Sequence, residues 1–368
     1  NLKLGLINYN EGDIEGSLAY YKSVFQNNPN PKESQEAMIA IEEIYIDDLG
    51  KSDEYFSFLQ SVPGYEISDF SKDSLNFKVA EIQYQNANYE RAVSRFNEYL
   101  NIHSNGYYKL QAQYLRGESL SLLKRYSDAL RSYEQVIKSG YSDYYVKAIK
   151  KAALISYNYE QDFKKAYRYY SLWEKETQNE NDKYDSQLGA LRSAFRNSDK
   201  IGIVKYANLV TANTLSTTVD KSTAYYYLAK TSYNSGDLDQ AKSAFNQVAN
   251  LSYNNQAAES RYMLAKIELD NNNLIEAESA ANRANEKNQN YPKWIAKSIL
   301  LLSDVYVAKG DLLNARAAVE AILENYKTDE ELIKEATLKL QVISQKEEEQ
   351  NRIKTVPVGT LELDTTGN

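Results

Sequence analysis

One short motif recurs along the chain and constrains its fold more than any other feature. It consists of a polar turn, an aromatic residue or Leu, two spacers and then a small residue. The small residues of seven copies are Ser17, Ala92, Ala129, Ala166, Ala241, Ala277 and Ala315. Successive copies lie 75, 37, 37, 75, 36 and 38 residues apart, and 75 is two periods of about 37. The spacing therefore predicts two degenerate copies, near residues 32–65 and 182–215, and about nine units in all.

The residues on both sides of each turn have the spacing of an amphipathic helix. Tyr114, Gly117 and Leu120 precede one turn, and Ala129 and Tyr133 follow it, at intervals of three and four residues. Each unit is therefore predicted to be a hairpin of two helices. The small residues at positions such as 117 and 129 let the two backbones approach closely, and we expect the large residue at 133 to fill space beside the next hairpin.

This pattern resembles the tetratricopeptide repeat (TPR) family. The first unit matches the family's order with Leu4-Gly5, Gly12-Asp13, Ser17 and Tyr21, and the ninth matches it with Gly310-Asp311-Leu312 and Ala315. The period of 36 to 38 exceeds the family's period of about 34, and the opening Trp is missing. The resemblance implies an all-α, right-handed α-solenoid of about nine hairpins, two of them degenerate, over residues 1–328. A further apolar pattern predicts a capping helix over residues 329–350, and we expect a flexible tail over residues 351–368.

Composition excludes several classes of function. The chain has no Cys and a single His, so thiol catalysis, disulfides and metal motifs that need two His or Cys side chains are ruled out. Its net charge of -8 disfavours a nucleic-acid partner. The apolar runs, such as Ile299–Leu302, are too short for a transmembrane segment. We expect no cofactor and no metal, and the start of the chain inside a repeat favours a fragment of a longer protein.

The resemblance also implies which side chains line the concave groove, because positions 2, 5, 9 and 12 of each first helix face the groove in the family. At these positions the chain carries aromatic residues, acids and lysines, namely Tyr9, Phe77, Tyr84, Tyr114, Tyr226, Tyr233 and Tyr262, Glu81 and Glu118, and Lys230 and Lys266. Such a groove is expected to bind a partner peptide or helix of alternating charge. The alternative is that some of the 33 tyrosines only pack at a wet boundary.

Two functions of different class follow. The first is a non-catalytic protein-interaction scaffold that is a subunit or fragment of a larger assembly. Its composition resembles that of long TPR proteins of bacterial envelopes, which favours the periplasm or cell envelope over the cytoplasm and a place in a membrane-associated complex. The alternative is a carbohydrate-active all-α enzyme in which Glu81 and Glu118 are the acid and base. Only two tryptophans, Trp173 and Trp294, are available to stack on sugars, which weighs against the enzyme.

Overall fold

The computed structural model describes residues 1–27 and 29–354, and every regular element in them is helical. Contacts divide the chain into two compact units, Asn1–Ser193 and a second that begins at Ala194. The helices of the first unit are α1 (Leu2–Asn10), α2 (Ile14–Val24), α3 (Pro31–Glu43), α4 (Ser52–Ser61), α5 (Asp69–Gln85), α6 (Tyr89–Ile102), α7 (Lys109–Leu122), α8 (Tyr126–Ser139), α9 (Tyr145–Asn158) and α10 (Phe163–Glu176).

Helix α11 (Glu180–Arg196) contains the boundary between the units. The helices that follow it are α12 (Lys200–Ala212), α13 (Thr218–Asn234), α14 (Leu238–Leu251), α15 (Asn255–Asp270), α16 (Leu274–Lys287), α17 (Pro292–Ala308), α18 (Leu312–Asn325) and α19 (Glu330–Lys354). Pairs from α1–α2 to α17–α18 make nine hairpins within the described residues. The prediction of about nine helical hairpins is confirmed, and α3–α4 and α11–α12 fill the two predicted gaps.

Each hairpin turn contains one residue with positive φ. These residues are Gly12, Gly50, Ala87, Lys124, Gln161, Ser198, Gly236, Asn272 and Gly310. At the α13–α14 turn the N–H of Gly236 bonds to the carbonyl of Tyr233, and the N–H of Asp237 bonds to that of Ser232. This is a Schellman motif, which satisfies the last carbonyls of the first helix. The recurring Asp then caps the second helix, as Asp237 does by accepting from the N–H of Gln240.

Small residues bring the paired helices together. Ser17 and the alanines of the recurring motif are all fully buried. The Ser17 hydroxyl donates to the carbonyl of Gly5 at 2.8 Å, so the two backbones are in close contact. A Cβ on Gly117 would lie 2.7 Å from the ring of Tyr133, which covers that glycine. Tyr133 therefore packs inside its own hairpin, whereas the ring of Tyr170 on α10 covers Gly189 of α11, as expected of a large residue that fills space beside the next hairpin.

The two degenerate hairpins depart from the motif for local reasons. Helix α3 continues into a π-helix, Ile44–Asp48, which adds a residue to the turn and shifts the helical phase. In α12 the place of the recurring alanine, four residues after the cap Asp199, is taken by Ile203, which is buried. Both segments keep buried residues and a left-handed turn residue, Gly50 and Ser198, although their sequences do not match the motif.

The last helix packs against α17 and α18. Leu332, Ala336 and Ile343 of α19 are buried in one cluster with Val319 and Ile322 of α18. The Arg316 guanidinium of α18 also donates to the Glu347 carboxylate. Helix α19 extends to Lys354, four residues beyond the predicted end of the capping helix, while the rest of the predicted tail, residues 355–368, lies outside the described residues. The proposed domain boundaries stay a prediction.

Candidate interaction surfaces

Five odd-numbered helices carry all of the predicted groove residues. Tyr9 lies on α1, three residues lie on α5, two on α7, three on α13 and two on α15. Within each unit some neighbouring odd-numbered helices are in contact, as α5 and α7 are in the first unit and α15 and α17 in the second. Side chains about one repeat apart can therefore meet, and the two units present separate sets of them.

In the first unit, Glu81 is a half-buried carboxylate with no cationic partner among the residues that the structure describes. Its one hydrogen bond comes from the Gln111 amide, whose Nε2 lies 3.2 Å from Oε1. Burial raises the pKa of Glu81, and the Gln111 hydrogen bond opposes that rise only in part. The sequence interpretation places Glu81 on a binding face, and the structure leaves its charge available there.

Three half-buried tyrosines form a series of neighbours that begins at Glu81: Tyr144, Tyr114 and Tyr84. Tyr84 follows Glu81 on α5, Tyr114 lies on α7, and Tyr144 caps α9 with its ring centroid 5.2 Å from that of Tyr114. Burial raises the pKa of the Tyr144 phenol, and the negative charge of Glu81 raises it further. Burial also raises the pKa of Tyr114, with additional contributions from Glu118 and Tyr84. Glu81, Tyr84, Tyr114 and Tyr144 form what we name the α5–α9 patch.

The other predicted residues of the first unit have partners inside the protein. Glu118 accepts from the Tyr133 hydroxyl and from Lys151, whose Nζ lies 2.7 Å away. Tyr9 donates to Asp48 on the next hairpin at 2.8 Å. Phe77 is only 4% exposed and stacks on Tyr108 with ring centroids 4.7 Å apart. Its side chain therefore contributes to the core.

In the second unit, the structure pairs both predicted lysines with acids. Lys230 and Tyr226 each donate to the Glu259 carboxylate at 2.6 Å. Lys266 and Tyr233 each donate to Asp270, at 3.0 and 2.8 Å. The contacts of Tyr226, Lys230 and Tyr233 join α13 to α15, so Lys230 links neighbouring hairpins, whereas Lys266 pairs with Asp270 within α15.

Tyr262 is the remaining predicted residue of the second unit. Burial raises its pKa to about 12. Its ring centroid lies 5.6 Å from that of Trp294, and the Lys297 ammonium lies 5.3 Å from the Trp294 ring centroid. This aromatic pair joins α15 to α17.

Sequence reasoning missed four side chains that complete these contacts: Tyr144, Lys151, Glu259 and Asp270. For Glu259 a signal existed. In the numbering of the family's repeat, in which Tyr262 is position 5, Glu259 is position 2 of the first helix, and the family resemblance directs that position to the groove. Asp270 lies at the end of α15, and Tyr144 lies just outside the start of α9. Positions at helix ends carry no periodic signal that would have revealed them.

Across residues 1–27 and 29–354, no group of three His, Asp or Glu side chains converges to hold a metal ion. Over the same residues, every helix is too short or too polar to cross a bilayer.

A family model described as tetratricopeptide repeat matches residues 111–143 and 223–252. These segments cover most of the α7–α8 and α13–α14 hairpins, one in each unit. The repeats predicted from the sequence are thereby confirmed. No curated protein matches this chain.

Three solved structures to which the chain is similar share little sequence identity with it. The C-terminal part of a TPR repeat-containing protein from Cytophaga hutchinsonii is 17% identical, with 70% of this chain and 98% of that chain covered and a TM-score of 0.46. Yeast Tom70 is 12% identical, with 97% and 90% covered and a TM-score of 0.38. The TPR2AB domain of yeast Sti1, solved with pHSP90, is 15% identical, with 74% and 99% covered and a TM-score of 0.33.

Proposed function

We propose that this chain, which is a tetratricopeptide-repeat protein, is a non-catalytic scaffold that binds a protein partner through its odd-numbered helices. The observation that carries the proposal is the α5–α9 patch, in which Glu81, a carboxylate with no cationic partner among the described residues, neighbours Tyr144, whose ring in turn packs against that of Tyr114. A subunit role in a bacterial envelope assembly is part of the same proposal and rests on composition alone.

The chemistry of the α5–α9 patch favours a basic side chain of the partner. A Lys or Arg head group can pair with Glu81, and its aliphatic stem and charge are both attracted to aromatic faces such as those of Tyr84 and Tyr114. Tyrosine also supplies a large contact area at a low cost in conformational entropy. The partner is therefore proposed to be a peptide or helix that places Lys or Arg at Glu81.

The test is selection from a random peptide library displayed on phage, with the wild-type chain as bait. We expect enriched peptides to contain a Lys or Arg and to bind Glu81→Gln at least about tenfold more weakly, because a charge-assisted contact is lost. Glu66→Gln is the matched control, since Glu66 is an exposed acid of the same unit. Enrichment of peptides without basic residues, or equal binding by Glu81→Gln and wild type, would contradict the proposal.

The raised pKa of Glu81 supports one competing function. A general acid of a glycosidase needs such a pKa, and Glu118 would be its partner carboxylate. Glu118 is already bonded to Lys151 and Tyr133, which leaves it poorly placed to activate water. If the wild-type chain hydrolysed members of an oligosaccharide panel and Glu81→Gln did not, the result would contradict the scaffold proposal and favour the glycosidase.

A further inference from the structure

A small cavity of about 160 Å³ lies between α14, α15 and α16 in the second unit. Its lining includes three cationic side chains, Arg261, Arg283 and Lys287, and two amides, Asn246 and Asn250, but no acid. Cavities that hold drug-sized ligands are typically about 300 to 1,000 Å³. This one has room only for a small molecule or ion.

In the described part of the chain, no carboxylate forms an ion pair with the three cations of the cavity. Arg261 donates to the carbonyls of Ala249 and Ser252, at 3.0 and 3.1 Å, and to the Asn288 side chain at 3.1 Å. It is only 7% exposed, and burial lowers the pKa of its guanidinium, with only tyrosines opposing the shift. Arg283 donates to the Ser279 hydroxyl at 2.7 Å. A cluster of unpaired cations is unusual in a chain of net charge -8.

The ends of nearby helices do not supply enough negative charge to neutralise the cations of the cavity. Ala249 and Ser252 lie at the C-terminal end of α14, where exposed carbonyls carry roughly half an elementary charge. Arg261 already occupies these carbonyls, so its contacts offset that partial charge. The positive charges of Arg283 and Lys287, both on the exposed surface of α16, remain.

We propose that this cavity binds a small oxyanion, with inorganic phosphate as the chemical type. Arg283 and Lys287 supply positive charge at the mouth, and the amides of Asn246 and Asn250 can donate to further oxygens. A tetrahedral anion with several oxygens uses such converging donors better than a carboxylate does.

The cavity is separate from the proposed peptide surface. Successive residues of a helix are turned by 100°, because there are 3.6 residues per turn. Leu264, which lines the cavity, is therefore turned by about 200° from Tyr262, which was predicted to face the groove. Oxyanion binding can be tested without reference to peptide binding.

The test compares the thermal unfolding midpoint in sodium phosphate with that in sodium chloride of equal ionic strength. We expect phosphate to raise the midpoint of the wild type, and Arg283→Gln with Lys287→Gln to remove that rise and weaken phosphate binding at least about tenfold. Lys334→Gln with Lys346→Gln is the control, because it removes the same charge from exposed positions of α19. We expect the control to respond to phosphate as the wild type does.

Two results would overturn the proposal: no rise in the wild type, or equal rises in all three proteins. Sodium acetate at the same ionic strength is a further arm, and an equal rise with acetate would exclude phosphate as the preferred anion. O-phosphoserine is the last arm. Tighter binding of O-phosphoserine than of phosphate would identify a phosphate ester as the source of the anion, and weaker binding would identify the free ion.

Discussion

Burial raises the pKa of Glu81, and the direction of this shift determines how the residue affects the stability of the fold at each pH. A carboxyl whose pKa is higher in the folded than in the unfolded state is more readily protonated when folded. Its favourable contribution is present at low pH and is lost as the pH rises through the raised value. At neutral pH the charged, half-buried carboxylate therefore destabilises the folded chain, which is typical of a group kept for binding.

Replacing Glu81 by Gln should increase the free energy of unfolding at pH 7, because the half-buried charge is removed and the Gln111 contact can be kept. At pH 4 the difference should shrink, since Glu81 is then largely protonated. Urea unfolding at both pH values, followed by circular dichroism, measures the effect. Glu66→Gln should change neither value, and a loss of stability in Glu81→Gln at pH 7 would argue that the carboxylate is structural.

The Tyr226 hydroxyl is expected to stabilise the fold, unlike the Glu81 charge, because its hydrogen bond to Glu259 links α13 to α15. Tyr226→Phe keeps the ring but leaves Glu259 with one donor fewer. We expect a loss of about 1 kcal/mol in the free energy of unfolding. Tyr253→Phe is the control, because Tyr253 is 75% exposed. Equal stability of the two variants would show that the Tyr226 hydroxyl bonds equally well to water.

At the scale of the element, the hairpin turns contain local strain. Ala87, Lys124, Gln161, Ser198 and Asn272 adopt positive φ although they are not glycine. For a residue with a Cβ, that conformation costs roughly 1–2 kcal/mol. Glycine occupies the same place at Gly12, Gly50, Gly236 and Gly310.

Exchanging residues at these turns should change stability in opposite directions. Ala87→Gly relieves the strain and should stabilise the chain by about 1 kcal/mol, less the entropy that glycine adds to the unfolded state. Gly236→Ala introduces the strain and should destabilise it by a similar amount. Urea unfolding of both variants measures the two effects. Gly106→Ala is not a suitable control, because a Cβ at Gly106 would clash with Tyr99 and Asp73. Shifts of the same sign would contradict the assignment of strain to φ.

Much at this scale could be predicted from the sequence. The period of about 37 residues placed nine hairpins, including two that lack the motif, because a helix pair of fixed length must repeat to stack. The π-helix at Ile44–Asp48 could not be predicted, since one added residue leaves no distinct pattern. Nor could the pairing of Lys230 with Glu259, because spacing along one helix does not say which side chain of the next helix approaches it.

At the scale of the whole molecule, buried tyrosines control behaviour in alkali. Burial raises the pKa of Tyr169, Tyr170 and Tyr262 from 10.0 to about 12. A raised pKa means that the neutral phenol is favoured in the folded state. The resulting stability is fully present below pH 10 and is lost as the pH rises towards 12.

The chain should therefore unfold in alkali as its buried phenols ionise. Absorbance of phenolate at 295 nm and helical circular dichroism, measured across pH 9 to 12, should show a late group of tyrosines that ionises together with the loss of helix. Moderate salt should not abolish the coincidence, because burial is the main cause. Complete ionisation of all 33 tyrosines with helix content unchanged would contradict it.

Contacts between consecutive helices also make each hairpin an exchangeable module. Helix α7 packs on α6, and α9 packs on α8, so the same kind of junction occurs before and after the α7–α8 hairpin. A gene that loses or duplicates one such segment changes the length of the protein without inventing a new interface. Repeat number in this lineage is therefore free to vary in whole steps, while a deletion of half a hairpin would leave an unpaired apolar helix face.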